Sequence, residues 1–279
     1  MGQLQQAAER RGHRCQQVDY QQLGAAIQGS ELRLQPEDEF LQTLDAVIVR
    51  TMPPGSLEQV VFRMDMLGQL ESRGLLIVNA PRAIEASVDK FLTTARLASQ
   101  GLPTPRTIVC ETSEEAQKAF EILGRDVVVK PLFGAEGRGI LRVSDPDLAC
   151  RVFRTLERVQ SVLYVQEFIP HAGFDIRVLV LNGKPLGAIQ RRNPADFRTN
   201  VSRKATARWH SPTDLEAELS IRAATAVGTC FAGVDLLYDP SGRCLVIEVN
   251  GVPGWQAFAR VTQIPVADRL LEAMEMMRS

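Results

Sequence analysis

Apolar positions along this chain recur at helical spacing in some stretches and at strand spacing in others, and the changes between the two outline its elements. The opening "LQQAAERRGH" predicts an amphipathic helix ending at Gly12. A short strand is predicted over 14–18, and an apolar strand within "LDAVIVRT". The long helical pattern "SLEQVVFRMDMLGQLESRG" has an N-cap serine, Ser56, and a stop at Gly74. "LLIVNA" predicts a further buried strand. Strands alternating with helices imply a parallel sheet of Rossmann type. Such a lobe ordinarily opens on a strand, whereas Met1 leads straight into helix, so the expectation is a Rossmann-like lobe without its first strand.

From about Ser87 the pattern predicts a helix (89–100), a strand (106–110), a helix (113–123) and a strand (126–130). A glycine loop, a strand, a helix (145–159) and a strand (162–167) follow. From about His171 the chain predicts a hairpin around "LNGKP", a helix (213–231), a second hairpin around "DPSG" and a closing helix. Asn182-Gly183 and Ser241-Gly242 are the turn signals. The expected division is 1–86, 87–170 and 171–279, in an α/β (α+β) fold.

Composition narrows the function classes. The 279 residues allow one large domain or two to three lobes. A net charge of -1 gives no global pull toward nucleic acid or membrane. Five scattered cysteines without a CxxC suggest reduced thiols and a cytoplasmic protein. Three distant histidines without HExxH argue against zinc. No apolar run is long enough for a bilayer, and no basic-then-apolar leader opens the chain.

The chemistry gathers at particular positions. In "VIEVNGVPGW", Glu248 and Asn250 share one strand face, and the partner strand "AGVDLLYD" carries Asp235 amid apolar residues. Buried carboxylates are costly without a cation, and Mg2+ takes such oxygen ligands; a polar face left in water is the plain alternative. In "KPLFGAEGRGI", Gly134, Gly137 and Gly139 form a loop between strands whose N–H groups can meet phosphate, with Lys130 just before it. Taken alone, the stretch reads first as a plain glycine-rich hairpin. Lys90 sits in the first turn of a helix, where the dipole disfavours a cation, so it is either solvated or holds phosphate. Gln166, Glu167 and Phe168 end a strand whose free backbone groups could read an adenine edge, or could simply form a linker. The stretch 191–208 holds Arg191, Arg192, Arg198, Arg203, Lys204 and Arg208 against Asp196 alone. Those cations suit carboxylate or phosphate, with a solvated hairpin or RNA as alternatives.

Seven segments in register, "DK" at 89–90, "VVVKPLFGAEGRGI", "VQEFI", "DIRVLVLNGKPLGAIQRR", "DFRTN", "AGVDLL" and "EVNGVPGW", resemble the ATP-grasp superfamily and within it the RimK-type glutamate ligases. The resemblance covers nearly the whole chain. It implies a pre-ATP-grasp lobe, then central and C-terminal ATP-grasp subdomains with ATP between them. It implies Lys90 and Lys130 near phosphate and adenine, and Glu167 and Phe168 on adenine and ribose. Asp175 would lie near ribose or substrate, and Arg198, Thr199 and Asn200 would line the acyl-phosphate site. Asp235, Glu248 and Asn250 would hold Mg2+ (or Mn2+), two ions in all, leaving Arg177, Arg191 and Arg192 for the acidic substrate or acyl phosphate. The implied reaction joins an amino acid, in this family L-glutamate, to a small-molecule or peptide carboxylate through an acyl phosphate. The "NGVPGW" ending is similar to relatives that extend pterin or deazaflavin cofactors. A homo-oligomer is a further implication, and a non-catalytic MgATP-binding module is the rival reading.

Overall fold

The computed structural model describes residues 2–35, 43–134, 138–193, 196–198 and 206–278. In chain order the first lobe has α1 (Gly2–Arg10), a one-turn 3-10 helix, β1 (Gly24–Gln28), β2 (Glu31–Gln35), β3 (Ala46–Ile48), α2 (Leu57–Ser72), β4 (Leu76–Val78) and α3 (Pro81–Val88). The middle of the chain has α4 (Lys90–Ser99), β5 (Thr107–Cys110), α5 (Ser113–Ile122), β6 (Val127–Lys130), β7 (Leu141–Val143), α6 (Pro146–Arg158) and β8 (Leu163–Glu167). The last part has β9 (Phe174–Leu181), β10 (Lys184–Arg192), β11 (Thr206–His210), α7 (Asp214–Val227), β12 (Phe231–Tyr238), β13 (Cys244–Asn250), α8 (Gln256–Thr262) and α9 (Val266–Arg278).

The expected parallel pair is present: β3 and β4 run side by side. α2 starts where its cap predicts, with Ser56 and Gln59 forming a reciprocal capping box. Two expectations fail. Residues 14–18 form no strand. They line the same cavity as Ala46, Val47 and Ile48 of β3 and pair with no described strand. The helix expected over 213–231 stops at Val227, because Gly228 adopts the left-handed conformation (φ 86°) that closes a helix; Phe231 already belongs to β12.

Two antiparallel sheets carry the rest. β5-β8-β6-β7 is one, with α5 and α6 burying Phe120 and Phe153 on it. β11-β10-β9-β12-β13 is the other. Its one face packs on α7 through Val178, Val234 and Val246; its other face packs on α1, α8 and α9 through Leu179, Phe231, Phe258 and Leu270. A buried amide helps tie the first lobe to this larger sheet. Asn79, just past β4, is buried; its Oδ1 accepts from Cys230 and Phe231 N–H at 2.8 Å, and its Nδ2 donates to Phe231 O at 2.6 Å and to Gly251 O. A side chain at Gly251 would sit 2.5 Å from Ser87 Oγ, so only glycine lets the turn after β13 approach α3 this closely. No helix among the described residues is long and apolar enough to cross a membrane.

Candidate active site

A cleft opens between the four- and five-stranded sheets. It is lined by Lys90, Lys130, Gln166, Phe168, Arg198 and Glu248 among others. β8 lies between β5 and β6, which sets Gln166 beside Lys130 and Thr107. Lys130 Nζ donates to Gln166 Oε1 at 2.6 Å, and Gln166 Nε2 donates to Thr107 Oγ1 at 2.9 Å and to Tyr164 Oη at 3.1 Å. Tyr164 Oη in turn pairs with Thr94 Oγ1 at 2.7 Å. Burial pushes the Lys130 ammonium down to about 8, helped by the charge of Lys90 and opposed by Glu248 and Asp235. Lys90 is not a solvated lysine: it is half-buried, its Nζ donates to Gly134 O at 2.9 Å, and burial lowers its pKa. Asp89 caps its helix through Leu92 N–H, which fixes where that lysine starts.

Across the cleft, Asp235 and Glu248 are cross-strand partners, with a register shift just after Asp235. Arg177 grips Asp235 with two bonds, Nε to Oδ1 at 2.6 Å and Nη2 to Oδ2 at 2.7 Å. Arg191 lies between two acids: it bonds Asp175 bidentately, and its Nη2 is 2.8 Å from Asp235 Oδ2. These guanidiniums overcome the cost of burial and hold the Asp235 carboxyl below its usual range. The two carboxylates fit a hard cation, which needs few protein oxygens when phosphate and water complete its shell. Among the described residues no three acid, histidine or cysteine side chains gather into a protein-only metal cage.

Other expected residues fall differently. Asn250 is on the Glu248 face, but its Oδ1 accepts from Val252 N–H at 2.9 Å and shapes the turn. The backbone N–H groups of Glu167 and Phe168 are not free for an adenine edge, since they donate to Arg106 O and Asp126 O at 2.9 Å. The Glu167 carboxylate is held by Arg106, through its N–H and its Nε. Phe168 stays available as a platform, with Arg142 stacked 3.5 Å from its ring centre and Phe197 edge-on to it. Arg192 is exposed on the face of β10 opposite Arg191, outside the cleft. Arg198 reaches across to Ile140 O at 3.1 Å while paired with Asp196. Gly134 and Gly139 take positive φ (147° and 73°) beside Pro131. Gly137, Thr199 and Asn200 lie outside the described residues, as do Arg203 and Lys204 of the RNA reading. Sequence reasoning missed Tyr164 and Thr107, although "LYVQE" alternates Tyr164 with Gln166 on one face; nothing local marks Arg142.

Two β-rich lobes closing on a lysine-lined cleft with a carboxylate pair define an ATP-grasp ligase. Comparison with known proteins makes this specific. Residues 87–274 match the RimK-like ATP-grasp domain and residues 1–84 the RimK PreATP-grasp domain, and the chain belongs to the RimK-like ATP-grasp family. It is 34% identical over 264 residues to the tetrahydromethanopterin:alpha-L-glutamate ligase of Methanosarcina acetivorans, covering 85% of this chain and 81% of the relative. A probable alpha-L-glutamate ligase of Serratia proteamaculans is 32% identical, covering 98% and 90%. Among solved structures, the ATP-grasp ligase PsnB with its minimal precursor, Mg and ADP superposes with a TM-score of 0.76 at 20% identity, covering 100% of this chain and 93% of that one. A RimK domain protein from Sphaerobacter thermophilus gives 0.75 at 23%, covering 98% and 94%. ATP-grasp ligases bind ATP with Mg2+.

A phosphate held by the Lys130 ammonium would give this binding a pH signature. Burial lowers the ammonium's pKa to about 8, so its charged form is disfavoured in the free protein near that pH. Phosphate favours the charged form and raises the pKa, so MgATP affinity is full below about pH 8 and falls as pH rises through the bound-state value. Calorimetry at pH 8 in two buffers of different ionisation enthalpy is expected to show net proton uptake on MgATP binding, lost in Lys130→Met. Uptake unchanged in that variant would assign the proton elsewhere.

Proposed function

We propose that the protein is an ATP- and Mg2+-dependent ligase that adds L-glutamate to the carboxylate of a small, cofactor-type molecule, with a peptide carboxylate as the lesser alternative. The observation that carries this reading is the meeting of Lys90 and Lys130 with Glu248 and Asp235 across one cleft. The names of the relatives support the amino acid and the acceptor class. The working division is 1–86, 87–170 and 171–279, with the reaction between the last two units.

In this reading Lys90 and Lys130 hold the phosphates, and Phe168 and Gln166 place the base. Asp235 and Glu248, with Asn250, hold Mg2+ or Mn2+, two ions in all, which neutralises charge on the phosphates. Arg198 stands at the acyl-phosphate site. An oxygen of the acceptor carboxylate attacks the γ-phosphorus, and the bond from phosphorus to the ADP oxygen breaks. The glutamate amine then attacks the acyl carbon, inorganic phosphate leaves and the amine gives up a proton. Arg177 and Arg198 offset the repulsion between carboxylate and phosphate, and the protein otherwise positions reactants. The odd number of free cysteines accords with a cytoplasmic protein.

The experiment is incubation with MgATP, isotope-labelled L-glutamate and a small-molecule and peptide extract of the host, read by mass spectrometry. A labelled product that requires ATP is the expected result. MgATP binding without amine-dependent ADP release, for every acceptor and amino acid, would return the non-catalytic module instead.

A further inference from the structure

Tyr164 lines the cleft, yet no step of the reaction uses it. The residue is 1% exposed, and its ring lies across from Lys130, its cross-strand partner on β6. β8 carries it two positions before Gln166, so both side chains share one face of the strand.

The polar hydrogens on this face have definite destinations. Thr107 Oγ1 donates its single proton to Pro105 O at 3.0 Å, so toward Gln166 it can only accept. Gln166 therefore turns its NH2 to Thr107 at 2.9 Å and to Tyr164 Oη at 3.1 Å, and its carbonyl oxygen to Lys130 Nζ at 2.6 Å. Tyr164 can accept that N–H because it can pass its own proton to Thr94 Oγ1, 2.7 Å away. The reversed amide would set its oxygen against a Thr107 lone pair and its NH2 against an ammonium. Gln166 is 3% exposed, so bulk water does not make good a missing partner.

The same hydroxyl reaches toward the second lysine. Thr94 lies one turn after Lys90 on α4, on the same face of the helix. Lys90 donates its N–H to Leu132 O at 3.2 Å and its Nζ to Gly134 O at 2.9 Å, at the start of the glycine loop that follows Lys130. A continuous chain thus runs from Lys90 along α4 to Thr94, then through Tyr164 and Gln166 to Lys130. The Thr94–Tyr164 bond joins the helix that carries one lysine to the sheet that carries the other.

We propose that Tyr164 is a positioning residue for the phosphate site: its hydroxyl holds the Gln166 amide with the oxygen toward Lys130 and so fixes that lysine relative to Lys90. Tyr164 acts through Gln166 and Lys130, not on a reactant. This rests on the reading of Lys90 and Lys130 as the groups that hold phosphate. Without the hydroxyl, only a fraction of molecules keep the paired arrangement at any time, and nucleotide affinity falls by that fraction.

Equilibrium dialysis of labelled MgADP tests this on the full chain and needs no turnover. Tyr164→Phe keeps the buried ring, whose centre lies 5.9 Å from Lys130 Nζ, and removes only the oxygen. It is expected to weaken MgADP about five- to tenfold. Thr94→Val is expected to do the same, whereas Thr94→Ser keeps a hydroxyl and is expected to bind within about twofold of the unsubstituted protein. The deciding readout is the Lys130→Met background. There Tyr164→Phe is expected to change affinity by less than about twofold, because the group it positions is gone. Unchanged affinity in folded Tyr164→Phe overturns the proposal. So does a loss that persists in full in the Lys130→Met background, which would make the tyrosine a packing residue. Should Tyr164→Phe fail to fold, the Thr94 variants decide, and equal binding by Thr94→Val and Thr94→Ser overturns the proposal. If Lys130→Met itself leaves MgADP binding unchanged, the phosphate reading fails and the proposal falls with it. A loss in Lys130→Met with none in Tyr164→Phe removes the proposal alone.

Discussion

Lys130→Met is expected to lower amine-dependent ADP release by about a hundred- to a thousandfold, and Glu248→Gln to do the same by a different route. Lys130 is sequestered, with its Nζ bonded to the neutral Gln166 amide, so its charge is held ready for phosphate. Methionine keeps the buried stem, and Gln166 keeps Thr107 and Tyr164, so the fold is expected to survive. Glu248 faces both lysines and Asp235. Glutamine there keeps the shape and one oxygen but removes the charge a hard cation needs. The two variants should then separate: Lys130→Met weakens nucleotide binding, whereas Glu248→Gln shifts the Mg2+ concentration needed for half-maximal rate. Single-turnover ADP release, with nucleotide affinity measured alongside, checks both. Turnover retained by both folded variants would remove the site from this cleft.

What could be read from sequence was what depends on local period or local caps. The hairpins at Asn182-Gly183 and Ser241-Gly242, the Ser56 cap and the Asp235–Glu248 pairing all follow from residues close in sequence, or from alternation across one turn. The failures share the opposite character. A strand needs a partner strand, and residues 14–18 carry the pattern but pair with no described strand. β1 and β2 carry a Gly29-Ser30 turn that could have marked them, but their alternation is weak because Ile27 points outward. The adenine-edge reading of Glu167 and Phe168 assumed free N–H groups, and those groups were taken by Arg106 and Asp126, far away in sequence. Arg191 and Arg192 are adjacent, yet strand parity buries one and exposes the other, which composition alone does not distinguish. Asn79 and Arg50 act on turns more than a hundred residues away, and no local signal announces such partners.

Arg191→Met should be the most destabilising single change in the larger sheet, by about 3–5 kcal/mol. The arginine side chain is 3% exposed and stands between Asp175 and Asp235, so its loss strands buried negative charge. Asp235 keeps Arg177, while Asp175 loses the bidentate bond that Arg191 supplies. At about 2–4 °C per kcal/mol, the melting temperature is expected to drop on the order of 10 °C. Adding Asp175→Asn removes the stranded charge and is expected to restore most of the loss, since a neutral pair of similar shape tolerates burial. The pH dependence runs the same way in the unsubstituted protein. The Asp235 carboxyl is depressed in the fold, so its contribution is complete above its unfolded value near 4 and is lost as pH falls through the folded one. A double-mutant cycle by thermal melts at neutral pH reads the coupling directly. If Asp175→Asn adds to the loss instead of reversing it, Arg191 stabilises through packing and not through its charge pair with Asp175.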